Sequence, residues 1–410
     1  MDKSSKLEYF IVGFLLLAIV TTGALWLLRN RDQKIKDLNN NNGSEKEEKK
    51  EPEVPIKNNY DLNFDFLKFD YNKNNIVYSP LSIRKGLGLL KEGAMGDTYN
   101  QLDAVLNKFD DYNVTNVDKK IGISNALFIK NSYKDIVKEE FVNNLTNKYK
   151  ADLFYDELTS PDNVNNYVKE KTFGMIPKLF DSVAGSKLVL VNALAIDLNW
   201  VYKFDESNTY DRTYYLDKEI NIPFISDSFK HVDNIKYYNG DDLKIVSMPL
   251  ESVGGTNLEY IAIMPNDIDS FVKDVNYSYL KDNFDKLKSG KDVILNISMP
   301  KYKFDYELKF DVDLKQLGLI DMFDMEKANF YKITDTGMYV DQAKHKAHIE
   351  VSEEGVKAAA ATGFAMKDSA IIMDEKPIVI SFNKPHLVII RDKDTEDIWF
   401  VTLVYNPLGD

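Results

Sequence analysis

Cysteine is absent from all 410 residues. No disulfide, thiolate-held zinc, thiol nucleophile or lipidated cysteine is therefore available; the compartment is not decided by this. Histidine is scarce, with four in the chain: His231, His345, His348 and His386. Four suffice for one catalytic triad. Yet there is no Gly-x-Ser-x-Gly, no phosphate-cradling glycine loop and no His-Glu-x-x-His beside them, so nothing supports an enzyme or a cofactor. His345 and His348 lie three apart on a strand pattern and face opposite sides, which argues against a zinc pair, and no metal is expected. Basic charge is also in deficit. Lys and Arg number 52 against 65 Asp and Glu, a net charge of −13. Nucleic-acid binding needs a net basic surface, so that class is excluded. No compact basic patch suggests a polyanion activator.

What the chain does have is apolar bulk. Hydrophobic residues make up 44% and aromatics 12%, enough for a sizeable core in one large domain or two ordinary ones. The 24 Tyr and 23 Phe suit a β-rich protein.

Residues 1–8 form a short tail. Residues 9–28 carry no charge and include Phe14-Leu15-Leu16-Leu17-Ala18-Ile19-Val20. About 20 such residues make a helix of about 30 Å, the thickness of a bilayer core. A retained transmembrane anchor is the favoured reading, because the run continues through Trp26 and Leu28. The alternative is a cleaved signal peptide, with Thr22-Gly23-Ala24 as a poor cleavage site. Lys3 and Lys6 precede the span, and Arg29, Arg31, Lys34 and Lys36 follow it. By charge alone the main domain would stay in the cytoplasm. Residues 29–59 read as a disordered charged linker: an asparagine run (39–42), then Glu45-Lys46-Glu47-Glu48-Lys49-Lys50, then Pro52 and Pro55.

The folded domain is expected over 60–410. Ser79-Pro80 reads as a cap and first turn of a helix running to Gly93. A second short helix carries Gln101, Leu102 and Leu106, and further helices are expected over 138–149 and 161–173. Residues 188–196 are a continuous apolar run, as in a strand covered on both faces. Other strands are expected over 123–129, 245–249, 260–265, 293–300, 387–390 and 398–404. Helices come early and strands late without βα alternation, which argues for an α+β fold.

The stretch 347–363 begins as a strand, with Ala347, Ile349 and Val351 alternating with His348, Glu350 and Ser352. Gly355 breaks the pattern and is expected to absorb an unusual φ/ψ. Then follow four alanines, a threonine and a glycine, with no large apolar side chain before Phe364. Such a segment either stays exposed or slides between two strands where only small side chains fit.

That stretch resembles a serpin hinge, and the resemblance covers about residues 60–407. Its other carriers are Asn75-Ile76 with Ser79-Pro80-Leu81-Ser82, Gly93-Ala94-x-Gly96-x-Thr98-x-x-Gln101-Leu102, Thr172-x-Gly174-x-Ile176, Leu190-Val191-Asn192-Ala193 with Trp200, Pro300-Lys301-Tyr302, His345-Lys346-Ala347, Phe382-Asn383-Lys384-Pro385 and Asn406-Pro407. Each is weak alone, while their order and spacing together are specific. The resemblance implies a serpin fold with three β-sheets, about eight or nine helices and an exposed reactive-centre loop at about 356–376. It implies a suicide-substrate inhibitor of serine endopeptidases. The protease cleaves the loop and is held as an acyl-enzyme while the loop's amino-terminal arm inserts as a strand. A non-inhibitory serpin acting as a binding or chaperone protein is one rival, and a cross-class inhibitor of cysteine proteases is another.

By the same resemblance, Glu353, Glu354, Gly355, Val356, Ala358, Ala360 and Thr362 form the hinge, with Val356 standing where inhibitory relatives usually carry Thr or Ser. Ser79, Ser82, Asn192 and His345 match a cluster that gates sheet opening. Read locally, they are an N-cap, a strand amide and a satisfied core imidazole. Trp200, Lys301 and Glu353 match the top of the sheet, where Glu353-Glu354 reads equally well as a solvated pair. The family's spacing puts the scissile bond at Ser369-Ala370, with Met366, Lys367 and Asp374 as alternatives. Ser369 favours elastase-like or subtilisin-like targets, and Lys367 a trypsin-like one. A monomer is expected, either membrane-anchored with its domain outside the cytoplasm or secreted if residues 9–28 are removed.

Overall fold

The computed structural model describes residues 60–106, 116–117, 119–356 and 376–409, all within the unit Pro55–Asp410. Helices fall mostly in the first half, as α1 (Asp65–Asp70), α2 (Pro80–Gly93), α3 (Gly96–Leu106), α4 (Glu139–Asn147) and α5 (Asp162–Lys171), with the short α6 (Ile268–Asp274), α7 (Tyr277–Phe284) and α8 (Phe310–Gln316) later. Strands run β1 (Ile76–Tyr78), β2 (Ile121–Lys130), β3 (Asp152–Asp156), β4 (Leu188–Ile196), β5 (Leu198–Asn199), β6 (Tyr210–Tyr215), β7 (Glu219–Asn239), β8 (Leu243–Pro249), β9 (Leu258–Pro265), β10 (Lys288–Pro300), β11 (Tyr302–Glu307), β12 (Gln342–Val351), β13 (Gly355–Val356), β14 (Ile378–Ser381), β15 (His386–Asp392) and β16 (Ile398–Val404). This is the expected α+β fold.

Hydrogen bonding joins the strands into two sheets. One runs β3-β2-β4-β12-β13-β5, with β11 on β12; the other runs β1-β16-β15-β9-β8-β7-β10-β14, with β6 on β7. The second sheet changes character within β7. Residues 236–239 pair with β8, while residues 224–230 pair mostly with β10. Between them the register slips, and His231 takes a left-handed φ of 55°. A non-glycine residue there, beside a slipped register, marks a bulge. The two halves of β7 thus differ in their partners within one hydrogen-bonded sheet.

Local chemistry explains the clearest elements. Ser79 caps α2 by accepting from the Ser82 amide, and Pro80 occupies the first turn, where its missing N–H costs nothing. β4 is buried at all nine positions. Leu188 and Leu190 enter the core packed by α1–α4. Val189, Val191 and Ala193 enter a second core under α5. Both faces are therefore covered, which a continuous apolar run requires. Helix ends fall inside the expected limits. α5 stops at Lys171, because Thr172 turns back to donate to the Val168 carbonyl and Phe173 adopts a φ of 56°.

The expected anchor (9–28) and linker (29–59) lie outside the described residues. Among the described residues no helix is long and apolar enough to cross a membrane.

Candidate functional site

β4 and β12 are parallel neighbours, paired from Val189 with Gln342 to Asn192 with His345. Beyond that point they share no register position. The upper part of β4 keeps only β2 as a partner (Ile121 with Ile196, Ile123 with Leu194), and the upper part of β12 keeps β11 (Tyr302 with Val351). At the far end β13 sits between β12 and β5, the short strand that follows β4: Val356 pairs with Val351 on one side and with Leu198 on the other. The sheet is thus zipped below Asn192 and His345, split above them, and closed at its mouth by the first two residues of the segment that leads into the loop.

Four buried polar side chains lie at the point where the zip ends. The Ser79 amide donates to His345 Nε2 (3.0 Å), and the Ser82 hydroxyl donates to Asn192 Oδ1 (2.6 Å). Ser82 also donates its amide to Ser79 Oγ (3.1 Å). All four are 0–1% exposed. The structure therefore brings Ser79, Ser82, Asn192 and His345 into one network through the first turn of α2. Asn125 on β2 joins it, accepting from Asn192 Nδ2 at 3.5 Å and standing opposite Asn192 in register. The sequence reading missed Asn125, whose only signal is a polar residue within an apolar strand. Gly86 brings α2 close to Asn192, since a Cβ there would lie 3.3 Å from its side chain. Burial pushes the His345 imidazole down to about 3, so the ring is neutral. Because Nε2 accepts, its proton resides on Nδ1. His348 lies on the other face, against Asp305 at 3.1 Å.

At the mouth, Trp200 holds the turn before β13. Its indole Nε1 donates to the Ser352 carbonyl (2.8 Å) and its amide to the Glu354 carbonyl (2.9 Å). The ring stands edge-on to Tyr260, centroids 5.0 Å apart. Glu353 is 6% exposed. It accepts from Lys301 (3.0 Å) and Thr209 (2.7 Å). Burial pushes its carboxyl up, but these hydrogen bonds outweigh it and hold the group below the usual range. Glu354 pairs with Lys203. Both carboxylates thus have a lysine partner, Glu353 in a buried setting and Glu354 in a partly exposed one. Lys203 and Thr209 had no signal beyond closeness in sequence to Trp200.

Gly355 differs from the expectation. Its φ is not in the left-handed region, and the requirement is proximity: a Cβ would lie 2.2 Å from the Leu198 carbonyl oxygen. Glycine is there so that two backbones can touch. Val356 is 1% exposed and packs in the core that contains Leu198 and Trp200. Ala358, Ala360, Thr362, Met366, Lys367, Ser369, Ala370 and Asp374 lie outside the described residues.

This α+β fold is that of the serpin class. The chain belongs to the serpin family: residues 57–407 match the family described as serpin (serine protease inhibitor). It is 27% identical over 367 residues to a serine protease inhibitor of Cyanea capillata, covering 82% of this chain and 93% of that one. It is 31% identical over 375 residues to glia-derived nexin of Rattus norvegicus, covering 81% and 88%. The thermophilic serpin tengpin in its native state superposes with a TM-score of 0.72 at 24% identity, over 86% of this chain and 94% of that one, and shows the shared fold. The family is one of protease inhibitors.

Proposed function

We propose that this serpin is a suicide-substrate inhibitor of serine endopeptidases rather than an enzyme or a passive binding protein. The observation that carries the reading is the seat of Gly355 and Val356 in the mouth of the β4–β12 split. The residues that follow are small or apolar on alternate positions: Val356, Ala358, Ala360 and Thr362. A strand filling the split must desolvate one face between occupied neighbours, and these side chains meet that demand at little cost. Lys357 falls on the other face. About 15 residues at about 3.3 Å each would carry a cleaved end about 50 Å down the sheet.

In this reading the protease attacks at Ser369-Ala370, with elastase-like or subtilisin-like enzymes as preferred targets. The Ser79, Ser82, Asn192 and His345 network holds the zip closed until cleavage, and Trp200, Lys301 and Glu353 position the hinge. Residues 9–28 anchor the chain, residues 29–59 tether it, and the domain 60–410 stands outside the cytoplasm despite the charges flanking the span.

Incubating the full chain with a protease panel tests this. The expected result is an SDS-stable complex, recovered with membranes, plus a released fragment that mass spectrometry assigns to 370–410. Cleavage without a complex overturns the inhibitory reading. A complex that stays in the membrane fraction after deletion of residues 1–28 overturns the anchor.

A further inference from the structure

Four strands of the second sheet leave a pocket of about 290 Å3 on one face. Its lining includes Ser226 on β7 opposite Ser298 on β10, and Ser298 in turn stands opposite Ser381 on β14. Ser298 donates its hydroxyl to Ser381 at 2.8 Å. Arg212 on β6 donates to Ser298 Oγ (3.2 Å) and to the Tyr210 hydroxyl, with its guanidinium over the Tyr210 ring at 4.4 Å.

The hydrogen bonding of this pocket is incomplete. Arg212 Nε, Ser226 Oγ and Asn296 Oδ1 are all buried without a partner, and Ser226 is 7% exposed. Buried polar atoms are almost always paired, so three orphans around one pocket ask for an occupant. Among the described residues no carboxylate forms an ion pair with Arg212; its partners are neutral hydroxyls. The one acid in the lining, Asp227, already accepts from the Asp205 and Ser228 amides.

The three orphans differ in what they need. A guanidinium is a planar fork of donors and matches a carboxylate. Asn296 Oδ1 is an acceptor and requires a donor. Asp227 adds a negative charge at the rim, which disfavours a dianion and tolerates a cationic group. The volume is at the lower end for small-molecule sites, which run from about 300 Å3. Tyr210 and Val379, 54% and 57% exposed, supply an apolar rim.

We propose that this pocket binds a small carboxylate that also carries a hydrogen-bond donor, of the size of an amino acid or hydroxy acid. Its carboxylate lies on Arg212 and Ser226, and its donor on Asn296. The assignment stands or falls independently of protease inhibition.

L-Serine, acetate and inorganic phosphate are the probes, titrated calorimetrically into the full chain. L-Serine is expected to bind saturably, at least about tenfold tighter than acetate or phosphate, since Asn296, which recognises its donor, goes unused with acetate. Arg212→Met should abolish binding. Because that change also removes a ring contact, Ser228→Leu, at an exposed position on the wall, serves as a second variant: it should block the pocket while leaving the melting temperature unchanged. No binding of L-serine to the wild type, binding that survives either variant, or phosphate binding as tight as L-serine each overturns the proposal.

Discussion

Single residues set how this fold responds to acid. His345 and His386 are buried and neutral, pushed by burial from 6.5 down to about 3 and about 4. A histidine depressed in the folded state leaves stability intact above its unfolded value. Stability is lost as pH falls from about 6.5, at about 1.4 kcal/mol per pH unit per residue. Asp313, 1% exposed on α8, works the other way. Burial, with Asp70 adding repulsion, pushes its carboxyl from 3.8 up to about 7. A raised acid favours the folded state below the unfolded value, and that contribution fades as pH climbs toward 7. Between about pH 4 and 6.5, Asp313 therefore offsets one of the two histidines. Asp313→Asn removes the offset. Urea midpoints at pH 5, 6.5 and 8 should show the variant more stable than wild type at pH 8 and losing stability faster toward pH 5. Parallel pH profiles for the two proteins would contradict this assignment.

At the scale of elements, the two-residue β13 is the smallest piece with the largest consequence. Gly355→Ala places a methyl where the Leu198 oxygen stands, so β13 must lift from β5. The Trp200 amide, which donates to the Glu354 carbonyl beside β13, should then exchange with solvent at least about tenfold faster in hydrogen-exchange measurements. Unchanged protection at Trp200 would mean that close backbone approach is not what selects glycine. This is also where sequence and structure part company. α2 was legible because capping is local: Ser79 and Pro80 are adjacent to what they cap. β4 was legible because burial on both faces leaves a continuous apolar run. β13 was not, because the need for Gly355 arises from Leu198, far away in the chain. β7 was hidden too: polar residues interrupt it on both faces, and His231 breaks its alternation. The Arg212 pocket draws on four strands, and no spacing along one segment announces it. The network of Ser79, Ser82, Asn192 and His345 was visible only through family resemblance, since Asn192 and His345 meet by register between distant strands and the serines reach them from the start of α2.

At the scale of the whole molecule, the proposed insertion into the split between β4 and β12 would give a more stable arrangement than the one seen. A strand of about 15 residues entering it would also have to open the four β4–β12 pairs below, and would then form backbone hydrogen bonds to both neighbours. At about 0.5–1.5 kcal/mol net for each bond, the gain is on the order of 10 kcal/mol. For a large domain, where 1 kcal/mol moves the midpoint by about 2–4 °C, that corresponds to tens of degrees. Calorimetry of the chain before and after a single cut within 366–374 should show that rise. Equal melting temperatures before and after the cut would mean that no strand is added.

The segment between β13 and β14 has one more consequence. Its two ends belong to different sheets: β13 is wedged beside β12, and β14 lies along β10, held there by four residue pairs from Leu295 with Ile378 to Ser298 with Ser381. Both flanking strands are thus paired within a sheet of their own. On the proposed mechanism, β14, a short edge strand held by those four pairs, would be the contact that opposes insertion in the uncut chain.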